Sequence, residues 1–189
     1  KELLDQVGIQ PATTWEEFFD NCDKLLAAGN EFYVEDMRWR ALARKSKKAK
    51  KNKKGKYLSR KRFGKSIANK SPGSFLSILE QKVKAQGGSF KRLITWEARA
   101  SQYHHMTGKY KKKKLSQRTD VLEDGSRVQR DLYSAFLIQH ANKTLDGFNA
   151  RLCKKDYANF LRMHNEVMEA LARSDKKLPS SMGVRQKAA

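Results

Sequence analysis

The chain has 189 residues, 39% apolar and 32% charged, with 41 Lys+Arg against 20 Asp+Glu and a formal net charge of +21. That length allows one domain, or one with an appendage, and enough apolar side chains to fill a core. No apolar run approaches the ~18 residues a bilayer demands, which excludes a transmembrane protein. No obvious amphipathic helix carries the basic blocks, so an acidic membrane surface is a distant second as partner and no membrane is expected. The chain opens on Lys1 without a secretory leader and reads as a piece of a longer polypeptide. Cys22 and Cys153 form no paired spacing, so they are expected to be free thiols in a reducing compartment.

The first element is a helix. Thr14 and Glu17 make a capping box, each side chain reaching the other's backbone, and Phe18, Phe19, Cys22, Leu25 and Leu26 recur at helical spacing. Gly29 ends it, since glycine tolerates left-handed geometry. Residues 31–36 (EFYVED) then read as a short buried strand closed by Glu35 and Asp36. From 38 to about 69 the composition changes to Lys and Arg with few anchors beyond Trp39, Leu42, Tyr57 and Phe63. This stretch is expected to be a mobile basic insertion, or a helix start followed by one, that orders on nucleic acid. Ser71 and Pro72 then suit the N-cap and first position of a second helix, with Phe75, Ile78, Leu79 and Val83 as its buried stripe. Gly87 and Gly88 stop it, and 89–96 reads as a second strand.

Residues 98–129 show no sustained period and form an excursion closed by the turn Asp124-Gly125. Helical spacing returns over 132–145, opened by Asp131. A last amphipathic helix is expected over about 155–173, with Tyr157, Phe160, Leu161, His164, Val167, Met168 and Leu171 on one side. The tail beyond Ser174 lacks anchors and reads as disordered. Helix, strand, insertion, helix, strand is the alternation of an α/β layered domain, not of a bundle.

The charge surplus is concentrated over 38–65 and 109–114. Such a field favours polyanions, and phosphodiester backbones are the densest common one. Basic tails on a plain globular domain would give the same sum, but the interleaved apolar and aromatic residues favour a folded basic face. Nucleic acid is therefore the expected partner.

Candidate chemistry rests on carboxylates. Glu35 and Asp36 stand at the carboxyl end of a strand, where open α/β sheets place ligands, although acids often decorate strand ends for no catalytic reason. Asp131 at a helix start, taken alone, reads as a cap that satisfies orphan N–H groups. Together, in a chain this basic, the two sites suit metal-assisted phosphodiester hydrolysis. Mg²⁺ prefers oxygen ligands, and two ions roughly 3.5–4 Å apart can activate water and stabilise the leaving oxygen. No nucleophile elbow, Walker loop or dinucleotide fingerprint is present. His104 and His105 lack nearby cysteines and read as surface or nucleic-acid-contacting residues rather than metal ligands.

One ordered series of segments is more specific. Tyr33-Val34-Glu35-Asp36-Met37, Phe63-Gly64-Lys65-Ser66-Ile67, Ser71-Pro72-Gly73-Ser74-Phe75, Ala85-Gln86-Gly87-Gly88, Ser101-Gln102, Leu115-Ser116-Gln117-Arg118 and Gln129-Arg130-Asp131-Leu132-Tyr133-Ser134-Ala135-Phe136 follow one another along the chain. Over about 31–138 this order resembles the carboxyl-terminal half of transposon-encoded TnpB proteins and the related type V CRISPR effector nucleases. The resemblance implies a partial RuvC (RNase H-like) domain, in which three acids bind the Mg²⁺ or Mn²⁺ ions that cut DNA selected by a guide RNA. Glu35 matches the second acid and Asp131 the third. The first lies on an early strand that this chain lacks, so the fragment alone should not cut. Implied partners are guide RNA, target DNA and the remainder of the same nuclease, in the nucleoid-associated cytoplasm of a prokaryote.

The family's four-Cys zinc ribbon falls here on His104, Thr107, Leu122 and Asp124, which cannot form a thiolate tetrahedron. No zinc is expected, with the hairpin either surviving on hydrogen bonds and turn chemistry or becoming mobile. The implied organisation is a RuvC part over 1–97 that includes the basic insertion, and a degenerate ribbon-like, nucleic-acid-binding insertion over 98–129. RuvC completion and a final helix follow over 130–174, then a basic tail over 175–189. Phosphate contacts are assigned to Arg60, Lys61, Arg62, Lys65, Lys109, Lys111, Lys112, Lys113, Lys114, Arg118 and Arg130. A nuclease-inactive RNA-guided DNA-binding protein, serving transposition targeting or repression, is the alternative. A basic module without a guide is the plainest one.

Overall fold

The computed structural model describes residues 5, 7–10, 12, 14–44, 51–57, 64–114, 116–174, 178–179 and 182–184. The described residues are about 50% helical and 14% strand, a mixed α/β architecture of helices and small sheets. It divides into two compact units. One comprises Val7–Phe32 and Met37–Phe90; the other comprises Lys1–Gln6, Tyr33–Asp36 and Lys91–Ala189.

In the unit of Val7–Phe32 and Met37–Phe90, α1 (Trp15–Ala27) starts on the capping box read from the sequence. Glu17 N–H donates to Thr14 Oγ1 at 3.1 Å, and Thr14 N–H donates to Glu17 Oε2 at 3.2 Å. Its apolar face supplies Cys22 and Leu26 to a core shared with Leu79 and Val83 of α4 (Pro72–Ala85), ringed by Phe18, Phe19, Phe32, Phe75 and Phe90. Between them the basic stretch holds more order than the sequence suggested. It contains α2 (Trp39–Ala43), a turn bridging Lys51 to Tyr57 about the Asn52 side chain, and α3 (Gly64–Lys70).

Ser71 is not the expected N-cap. Its backbone is left-handed (φ 40), its side chain makes no capping bond, and its Oγ donates back to Ala68 O at 2.8 Å. Pro72 explains this arrangement: it starts α4 immediately after α3, and a non-helical linker of one residue must take the whole bend.

β1 (Phe32–Glu35) and β2 (Phe90–Leu93) form a two-stranded sheet. Phe32 N–H donates to Ser89 O and Asp36 N–H to Leu93 O, so the pairing advances in the same direction along both strands and is parallel. The second strand is shorter than the expected 89–96, because 95–98 turn into α5 (Thr95–Ala98) and take Trp96 with them.

The other unit resolves the aperiodic stretch into two hairpins. β3 (Tyr103–His104) pairs with β4 (Lys109–Tyr110), and β5 (Thr119–Val121) pairs with β6 (Arg127–Gln129), both antiparallel. The turn at Asp124-Gly125 closes the second, with Ser126 N–H donating to Asp124 Oδ1. Helix α6 (Arg130–Gln139) follows directly and is shorter than read from the sequence, and α7 (Ala150–Arg173) begins earlier, on an Asn149 cap. Tyr103, Leu122, Val128, Tyr133, Phe136, Leu137, Cys153 and Tyr157 form the core that joins hairpins to helices. Both cysteines are free and buried.

Gly88 allows the close approach of its loop to the α1–α4 core. A β-carbon there would lie 2.2 Å from Leu26 Cδ2 and 3.1 Å from Val83 O. Gly88→Ala is expected to cost about 1–3 kcal/mol through overpacking, read as a lower urea midpoint with an unchanged slope.

Candidate carboxylate site and nucleic-acid surface

Glu35 is the last residue of β1. Strand alternation puts it on the face of Tyr33, with Asp36 on the other. Asp36 meets Arg92 at 3.9 Å, and Tyr33 receives a hydrogen bond from Lys91 Nζ at 3.3 Å. Burial holds the Glu35 carboxyl above the ordinary carboxylate value of 4.5, because the charged form is poorly solvated there.

Asp131 stands in the first turn of α6, and the cap on that helix is its neighbour. Gln129 Oε1 accepts from Leu132 N–H at 2.7 Å, while Gln129 Nε2 donates to Asp131 Oδ2 at 3.4 Å. The side chain of Asp131 stays 64% exposed, with Arg130 Nε at 3.5 Å. Gln129 is fixed in turn from α7: its N–H donates to His164 Nε2 at 2.8 Å. A backbone amide can only donate, so this ring nitrogen carries no proton and the ring proton sits on Nδ1, facing Asn165 Oδ1 at 2.9 Å.

Glu35 and Asp131 are oxygen donors of the kind a hard divalent cation takes. They fit such an ion in kind but fall short in number. Among the described residues no three His, Cys, Asp or Glu side chains gather as a metal group, so neither carboxylate stands in a complete ligand set. The thiols offer no alternative nucleophile: burial pushes both Cys22 and Cys153 up to about 11, leaving them protonated at neutral pH.

The two histidines at 104 and 105 are interior residues, a correction to the surface role expected of them. His105 N–H donates to Tyr133 Oη at 3.2 Å, and its Nδ1 lies 2.8 Å from the same oxygen. His104 reaches two carboxylates: Nε2 lies 3.0 Å from Asp120 Oδ2, and Nδ1 lies 3.2 Å from Glu123 Oε1. Lys113 Nζ closes on the same Asp120 oxygen, and Thr107 Oγ1 donates to Glu123 at 3.4 Å. Asp120 and Lys113 are only 2% and 3% exposed, and the groups at Asp120 Oδ2 meet at ion-pair range without hydrogen-bond alignment. The attraction there is Coulombic in a dry setting, where a charge without its partner is costly. Residues 98–129 thus hold two hairpins tied by direct pairing between their side chains. Lys113 belongs to that tie and is not a surface cation.

The remaining basic residues divide by place. Lys109, Lys111, Lys112 and Lys114 are exposed on and after β4, and Lys65 is exposed on α3. Arg118 is half-buried, with its carbonyl accepting from Arg130 N–H. The side chain of Arg130 is largely buried beside Asp131. Arg60, Lys61 and Arg62 lie outside the described residues, as does most of the tail. No described helix is long and apolar enough to cross a membrane.

No protein-family model, curated protein or solved structure matches the chain.

Sequence reasoning missed the Asp120 cluster and the Gln129–His164 link. The first carried one sequence signal, an aspartate in the middle of a short strand. The second carried another, a histidine on the apolar face of α7.

Two outcomes follow from these environments. Replacing Asp120 alone with Leu leaves Lys113 buried without its counter-charge, and should cost about 3–5 kcal/mol in chemical denaturation. The pair Asp120→Leu with Lys113→Met should recover much of that loss. Glu35→Gln should raise the thermal midpoint near neutral pH. The folded chain holds the Glu35 proton more tightly than the unfolded chain, so this group's contribution is greatest below pH 4.5 and is lost as pH rises through the raised folded value. The variant's midpoint should therefore fall less across that window.

Proposed function

We propose that this chain is the RuvC part of an RNA-guided DNA endonuclease, with Glu35 and Asp131 as two of its acids. The observation that carries the reading is the capping of α6 by Gln129, which leaves the Asp131 carboxylate exposed at 64%. The mundane role for an aspartate at a helix start is to cap it, and here that role is already filled. Glu35 supports the same reading, since a half-buried carboxyl with a raised pKa suits a site that a cation completes. The segment order over about 31–138 that resembles TnpB adds the guide RNA and the DNA target.

In this reading Glu35 and Asp131 would hold Mg²⁺ together with an acid from a strand outside these 189 residues. The bound ion would supply a more acidic water and neutralise charge on the leaving oxygen. The chain's own residues do the rest. Gln129 orients the Asp131 carboxylate, and His164 fixes Gln129 through its backbone. The exposed lysines after β4 hold phosphates. Base pairing with the guide would read the sequence, while the protein grips backbones. The hairpins ahead of α6 would take the place of the family's zinc ribbon, stapled by Asp120 with His104 and Lys113. A prokaryotic cytoplasm is the setting the reading implies.

In the protein expressed from its complete gene with its guide, Glu35→Gln and Asp131→Asn should each lower Mg²⁺-dependent cleavage by more than about a hundredfold. Guided DNA binding, measured by gel shift, should survive both changes. Undiminished cutting by either variant would remove that residue from the site.

A further inference from the structure

The outer surface of the first hairpin carries an arrangement that net charge does not account for. Tyr110 on β4 is 41% exposed although aromatic, and its ring centroid lies 5.2 Å from that of Tyr103 on β3. The guanidinium of Arg99 lies over the Tyr110 ring, 4.3 Å from its centroid. Arg99 is the C-cap of α5 and holds a left-handed backbone, φ 45 and ψ 52. A β-carbon in that conformation costs roughly 1–2 kcal/mol, and glycine would make the same turn without the cost. A strained residue retained where its side chain covers an exposed ring points to use of that side chain. Lys109, Lys111, Lys112 and Lys114 are exposed and flank Tyr110 along the chain.

A flat cation backed by an aromatic ring and flanked by lysines matches one chemistry closely. A nucleobase stacks on the guanidinium plane, and the flanking phosphates meet the ammonium groups. Bases inside a duplex are already stacked on each other, so the surface favours an unpaired strand.

We propose that Arg99 and Tyr110 form a base-stacking ledge for single-stranded DNA, with Lys109, Lys111, Lys112 and Lys114 holding its phosphates. The assignment rests on the nuclease reading above and deepens it by locating where an unwound strand lies on the first hairpin.

The test uses the full-length protein and a labelled mixed-sequence oligonucleotide as single-stranded DNA, as duplex and as RNA. Affinity is followed by anisotropy across a salt series. Tyr110→Leu and Arg99→Gly should each weaken single-stranded DNA binding by about tenfold while leaving duplex binding unchanged. Tyr110→Leu removes no charge and should leave the salt slope unaltered. Lys111→Gln with Lys112→Gln should reduce that slope by about 1.4, roughly 0.7 for each phosphate contact. Arg99→Gly relieves the backbone, so its thermal midpoint should stay level or rise as affinity falls, and Tyr110→Phe should bind as the parent does. If the parent binds no single strand, both the nuclease reading and the ledge fall. If it binds but Tyr110→Leu and Arg99→Gly bind equally well, the ledge alone falls. Equal losses on duplex, or a loss confined to RNA, would also overturn the assignment to a DNA strand.

Discussion

The carboxylate of Asp120, removed from water, is the constraint around which the hairpin region is built. A buried carboxylate needs polar or charged partners, and it draws them from the other hairpin and the stretch that leaves it: His104 from β3 and Lys113 from the residues that follow β4. Glu123 Oε1 meets the Nδ1 of His104 from the other side at 3.2 Å. Because these four groups come from two hairpins and the stretch between them, their pairing fixes how the hairpins meet. The strands themselves are two or three residues long and could not hold that geometry by ladder hydrogen bonds alone. The hairpins in turn deliver the chain to Gln129, and so decide where α6 begins and where Asp131 stands.

Much of the local structure was legible because it depends on neighbours in the sequence. The Thr14–Glu17 box, the stop at Gly29 and the apolar stripes of α1, α4 and α7 follow from side chains within one or two turns of each other. The failures share a different cause. Ser71 has the composition of a cap, yet the helix that ends one residue earlier dictates its backbone. The strands of 103–129 are too short to display alternation, so two hairpins looked like one irregular excursion. The burial of His104 and His105 is not legible in the sequence because their partners, Asp120, Glu123 and Tyr133, are distant along the chain.

The candidate site shows the same division. That Glu35 ends a strand and Asp131 opens a helix could be read from the sequence; which residue caps α6 could not. Gln is a poor cap by preference, and it is chosen here because β6 and His164 hold its backbone in place. The basic block of 109–114 was read as uniform charge, whereas the fold sorts it. Lys113 turns inward to Asp120 and its neighbours face solvent, so a count of lysines overstates the cations a phosphate backbone would meet.

The parallel pairing of β1 with β2 bears on the order of folding. Residues 36–89 lie between the two strands, so Glu35 gains its neighbouring strand only after that entire length has been drawn together. Closing so long a loop forfeits chain entropy before any ladder bond repays it, whereas the hairpins ahead of α6 join residues close in sequence. The two carboxylates therefore mature on different clocks. The aspartate's scaffold draws on shorter closures, such as the link from Gln129 to His164, and the glutamate's surroundings await the longer one between β1 and β2.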